Sequence, residues 1–174
     1  MKTRKTKRSS AKTSDLFAFF QQTILDAFRY LGSDFAFELI STSVHLPECA
    51  IIYQNDKTGV TVSYEWESEV WVALSRLDRY EGEVVDVERY GLEVLIEERC
   101  PDCKVNKNLA EGNWTNDNLE RIVREYASTL RQCGSEVLLG DFEVFPRLKL
   151  LTERRTRERN LKLYGSETGE TPPH

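Results

Sequence analysis

The sequence predicts a single α+β domain: an antiparallel meander of four to five strands packed against helices from the N-terminal and C-terminal parts of the chain. Three observations carry that reading. From Val60 the residues alternate strictly, with Val60, Val62, Tyr64 and Trp66 on one face and Thr61, Ser63, Glu65 and Glu67 on the other. A second run repeats the period, with Val70, Val72 and Leu74 opposed to Trp71 and Ala73. On either side of this block, apolar residues recur at steps of three and four. A period of two marks a half-buried strand, and the longer step marks the buried stripe of a helix.

Residues 50 to 53 are β-branched and aromatic and form the strand before Val60. Residues 55 to 59 supply the turn, with Gly59 expected at positive φ. A tight turn over Glu67, Ser68 and Glu69 closes the next hairpin. Strands joined by such short turns must be antiparallel, because parallel pairing needs a long crossover. Residues 35 to 39 alternate as well and are expected as the first strand. Residues 41 to 49 then form a loop, since Pro47 excludes a regular central strand. Past Leu77 the chain is charged, and Val84, Val85 and Val87 add a short edge strand.

Residues 1 to 14 carry six basic side chains and no acid, the composition of a disordered tail. Ser14 is expected as an N-cap, followed by a helix whose stripe is Phe17, Phe20, Ile24, Phe28 and Leu31 and whose end is Gly32. Leu92, Leu95 and Ile96 begin a helix that Pro101 stops. Residues 100 to 114 read as a polar loop, with Trp114 a lid on the core. Thr115 or Asn116 caps a long helix with Leu119, Ile122, Val123, Tyr126, Leu130 and Cys133 inward, ended by Gly134. A short helix from 136 to 140 follows, and Pro146 fits the first position of a terminal helix. The domain thus spans residues 15 to 151, with 152 to 174 a charged helical extension and tail.

At 174 residues the chain suits one domain. No run reaches the roughly 18 apolar residues of a membrane span, and no apolar signal core follows the basic N-terminus. A cytoplasmic protein without a membrane partner is expected. The net charge of −5 is unevenly spread. Residues 15 to 146 hold 25 of the 29 acids and a net charge of −14, whereas residues 147 to 163 hold seven basic and two acidic residues. An acidic body repels phosphates, so nucleic acid is expected only at the basic termini. A basic protein is the better partner.

The sharpest cysteine motif is Cys100-Pro101-Asp102-Cys103. Zinc needs four ligands, usually as two such pairs, and only Cys49 and Cys133 remain, each alone. A composite site of Cys49, Cys100, Cys103 and Cys133 is geometrically possible, but no metal and no cofactor is the expectation. Cys133 lies on an apolar stripe, where a small core hydrophobe is expected. Redox chemistry is disfavoured at Cys100 and Cys103, which follow a helix C-terminus beside Glu97 and Glu98. Two histidines, one of them the last residue, exclude histidine-rich metal sites and leave little for a triad. Glu65, Glu67 and Glu69 line one side of a hairpin. Outward carboxylates at a turn serve better as an acidic contact surface than for acid–base work, with Trp71 beside them as aromatic anchor.

One stretch, YASTLRQCGSEVLLGDFEVFPRL from Tyr126 to Leu148, resembles the ending of many small bacterial α+β proteins. In size and acidity such chains are similar to immunity proteins that neutralise toxins. No catalytic residue carries over from the resemblance; the acidic body, the glutamate row and the absence of a catalytic constellation lead to the expectation of a non-enzymatic binding protein, with an immunity-type inhibitor as its analogue. The competing expectations are an enzyme with carboxylate or cysteine chemistry, and a nucleic-acid accessory protein acting through its termini.

Overall fold

The computed structural model of the protein describes residues 7–45, 48–65, 69–103 and 115–165. The elements run α1 (Lys7–Ala27), α2 (Tyr30–Phe35), β1 (Glu38–His45), β2 (Glu48–Gln54), β3 (Thr58–Glu65), β4 (Val70–Tyr80), β5 (Glu83–Gly91), α3 (Leu92–Arg99), α4 (Asn116–Cys133), α5 (Ser135–Leu138) and α6 (Phe145–Tyr164). The five strands form one antiparallel sheet in chain order, a meander with β1 and β5 at its edges. The α+β fold is as the alternation predicted.

The inner face of the sheet carries Cys49, Ile51 and Tyr53 from β2, Val60, Val62 and Tyr64 from β3, Val70, Val72 and Leu74 from β4, and Tyr90 from β5, all buried. Helix α1 covers the middle of this face. The rings of Phe17 and Phe20 lie 5.8 and 5.0 Å from that of Tyr64. Phe28, just past α1, stacks on Tyr53 at 6.5 Å. Phe145 of α6 meets Tyr90 edge-on at 5.0 Å. Leu119, Ile122, Val123, Tyr126 and Leu130 of α4 complete one continuous core with these residues. Each such side chain withdrawn from water contributes about 1.5–3 kcal/mol, so the sheet is held chiefly by its inner face.

Several local expectations are corrected. Helix α1 begins at Lys7, inside the segment read as a tail, so Ser14 lies within the helix rather than at its cap. Residues 7 to 14 contain no glycine or proline, and their Lys, Arg and Ala residues favour continuation upstream of the apolar stripe. Residues 30 to 35 form a second short helix, so Gly32 lies inside a helix rather than ending one, and Phe35, read as the start of the first strand, is helical. The left-handed position that ends it is Ala36, at φ 57°. The first strand starts at Glu38 and runs through residues read as a loop. Pro47 lies outside the described residues. Gly59 takes no positive φ and sits inside β3. A Cβ there would make ordinary contacts of 3.4 Å with Leu77 and Ser75, so neither backbone angle nor space requires glycine at that point.

The turn before β3 is instead built by Asn55. Its Nδ2 donates to the carbonyls of Phe35 and Leu138 at 3.2 and 3.1 Å, and its Oδ1 accepts from the amides of Lys57 and Thr58. One side chain thereby ties the ends of α2 and α5 to the β2–β3 hairpin. Thr58, fully buried, adds a 2.9 Å bond from Oγ1 to the Val137 carbonyl. The β4–β5 hairpin turns on Glu81 and Gly82, at φ 52° and 89°. Two positive φ angles define the type I′ turn whose twist matches a hairpin. Helix α4 keeps its expected bounds, with the Thr115 hydroxyl accepting from the Asn118 amide.

Candidate functional site

The outer face of the sheet is built from the alternate residues of the same strands. Pairing brings Ala50, Ser63 and Trp71 into one row across β2, β3 and β4, and Ile52, Thr61, Ala73 and Gly91 into the next. Ala73 and Leu77 are buried on this side and stand outside the main core. Small neighbours leave space beside the half-buried indole of Trp71. A recess of about 370 Å³ opens there, lined by Glu48, Ser63, Glu69 and Trp71.

The expected contact residues are thus partly brought together. Trp71 and Glu69 share the recess, and Trp71 faces away from Val70 and Val72 as the alternation required. Glu67 lies outside the described residues, as does the side chain of Glu65. The backbone of Glu65 pairs with Glu48 across β2 and β3. Glu48 and Ser63 escaped the sequence reading because they join Trp71 through strand register, which no local spacing encodes.

A basic group lies against Trp71 as well. The Arg89 guanidinium lies over the Trp71 ring, 5.1 Å from its centroid. Arg89 is also 4.0 Å from Asp86, whose carboxylate accepts a 2.7 Å bond from the Ser75 hydroxyl. Trp71 therefore lines a recess together with two carboxylates and carries an arginine over its ring. Carboxylates beside an aromatic ring offer a cationic group both charge pairing and ring contact.

The cysteines divide. Cys49 is buried on the inner face, and burial pushes its thiol up to about 11, which keeps it protonated near neutral pH. Burial likewise raises Tyr53 to about 12. Cys133 is not the small core hydrophobe expected. It is half-buried and bonded to Cys100 in a disulfide. Cys103 is close by, whereas Cys49 is not part of that group. Trp114 lies outside the described residues.

The basic segment 147 to 163 forms most of α6, and part of its charge is already engaged. Arg154 and Arg155 both bind the Glu97 carboxylate, and Arg147 meets Glu98 at 3.0 Å. Another recess, of about 470 Å³, lies at the opposite end of the sheet between Glu38, Ile40, Lys57, Arg79, Val84 and Leu139, with charges of both signs at its rim. Among the described residues no helix is long and apolar enough to cross a membrane. Comparison of the chain with protein-family models, curated proteins and solved structures returned no match.

Proposed function

We propose that the protein is a non-enzymatic binding module whose outer sheet face receives a basic segment of a protein partner, in the manner of an immunity-type inhibitor that neutralises a toxin. The observation that carries this reading is the recess in which the Trp71 indole is flanked by Glu48 and Glu69. An aromatic anchor within a polar, charged rim is the anatomy of an interface hot spot. The net charge of −14 over residues 15 to 146 would draw a cationic partner toward it. The engagement of Arg147, Arg154 and Arg155 by acids of α3 weighs against α6 as a phosphate-binding surface.

The test is capture from lysate of the source cell by the full chain, with Trp71→Ala and Glu48→Lys/Glu69→Lys variants run beside it. The expected result is one basic protein in near-equal amount, released by salt and lost from both variants. Retention of the same protein by both variants would place the interface elsewhere. Recovery of nucleic acid alone would favour the accessory-protein reading.

A further inference from the structure

Three cysteines from two helix ends meet at one point. Cys100 is the C-cap of α3, and Cys133 is the last residue of α4. Between Cys100 and Cys103 the chain makes a turn through Pro101 and Asp102, closed by a 2.8 Å bond from the Cys103 amide to the Cys100 carbonyl. The three sulfurs lie within 4.8 Å of one another, and all three residues are half-buried. The Cys100–Cys133 disulfide, with its Cα atoms 6.1 Å apart, accounts for two of them. It gives no reason for a third sulfur at the same point.

The surroundings discriminate between uses of such a cluster. Both α3 and α4 point their C-terminal ends at it, and a helix C-terminus carries partial negative charge. That field raises the cost of a bare thiolate, which argues against Cys103 as an attacking nucleophile. It lowers the energy of a bound cation. Zinc bonds thiolate at about 2.3 Å in tetrahedral geometry, so ligating sulfurs stand about 3.8 Å apart. The three sulfurs, within 4.8 Å of one another, already stand near that spacing.

We propose that Cys100, Cys103 and Cys133 form, in the reduced protein, a three-thiolate site for a soft divalent cation of the zinc class, and that the Cys100–Cys133 disulfide is its oxidised, metal-free form. A dithiol reductant supplies two electrons and two protons to the disulfide and leaves as its own disulfide. The three thiols then release three protons as three sulfur–zinc bonds form, and zinc keeps its oxidation state. Water takes the fourth tetrahedral position. This site is independent of the Trp71 recess and of the partner proposed for it.

The test uses the full chain, reduced with a thiol-free phosphine and titrated with cobalt(II) and then zinc(II). One equivalent of cobalt with sulfur-to-cobalt charge-transfer bands, bleached by zinc, is the expected result. Cys103→Ser should lose those bands while still forming the Cys100–Cys133 disulfide under oxidant, a direct check that the variant folds. Cys49→Ala should bind as the parent does, and the oxidised parent should bind none. Absence of the bands in the reduced parent, or their persistence in Cys103→Ser, would overturn the proposal.

Discussion

Arg89 covers Trp71: its guanidinium carbon stands 5.1 Å from the indole centroid, so the protein's own cation occupies one side of the aromatic anchor. Arg89 pairs with Asp86 at only 4.0 Å, and both side chains are well exposed, so the ring contact is its more specific tie. Arg89→Ala should bare that side of the indole at little cost in stability, about 0.5–1 kcal/mol. The measurement is acrylamide quenching of tryptophan fluorescence, with Trp71→Phe as the background from the other two tryptophans. Steeper quenching of the Trp71 component is expected. An unchanged slope would mean that Arg89 does not shield the ring in solution.

The same substitution removes a positive charge from the Trp71 ring, which lines the acidic recess. If a basic segment docks there, Arg89→Ala should tighten its binding and Glu69→Lys should weaken it, both effects shrinking at high salt. Calorimetry with the captured partner reads both variants. Equal affinities across the pair would exclude this recess as the docking point.

Asn55 joins three segments through one amide, and its loss leaves the Phe35 and Leu138 carbonyls and two turn amides without those partners. Asn55→Ala should therefore destabilise the fold by about 2 kcal/mol or more. Asn55→Asp keeps the acceptor and loses the donor, so it should preserve the turn bonds and sacrifice the two carbonyl contacts. Urea midpoints for both variants distinguish a turn role from a tethering one.

How much of this was legible follows from where each residue sits. Strand β3 alternates because its inner face is fully buried and its outer face only partly so, and Val60 to Tyr64 recorded that directly; in β4 the alternation of Val70 to Leu74 marks the inner face, although Ala73 is buried on the other side as well. Strand β1 is an edge, with Leu39, Ile40 and Val44 all substantially exposed, so its apolar residues trace no period. Strand β5 is an edge too, and its pairing with β4 shifts register near Arg76 and Leu77. In the candidate site, Trp71 and Glu69 belong to one run of sequence and could be read from it. Glu48, Ser63 and Arg89 come from three strands and needed the register. Cys100 and Cys103 announced each other by spacing, whereas Cys133 joins them only through the packing of α4 beside α3.

The β4–β5 turn places Glu81 at φ 52°, a conformation that glutamate adopts at a cost and asparagine tolerates. Nothing crowds Gly82, where a Cβ would meet no atom within 4 Å, so the strain at this turn is conformational. Glu81→Asn should raise stability by about 0.5–1 kcal/mol, and Gly82→Ala should lower it despite the open space. Thermal melts of the two variants should move in opposite directions.

Buried thiol and phenol groups should lower stability as the pH rises into the alkaline range. Burial raises Cys49 from an ordinary value of 9.0 to about 11, and Tyr53 from 10.0 to about 12. In both cases the folded state holds its proton more tightly than the unfolded chain. Below the unfolded value both states are protonated and the full stability is present. As pH rises past it the unfolded chain ionises first, so stability falls until the folded group also titrates. Loss should therefore begin near pH 9 through Cys49, with Tyr53 contributing from near pH 10 upward. Cys49→Ala should remove the earlier part of that decline, although its deleted sulfur lowers stability at neutral pH. Urea midpoints compared at about pH 8 and about pH 10 for parent and variant test this. A drop of equal size in both would mean that other groups, and not the Cys49 thiol, govern the onset.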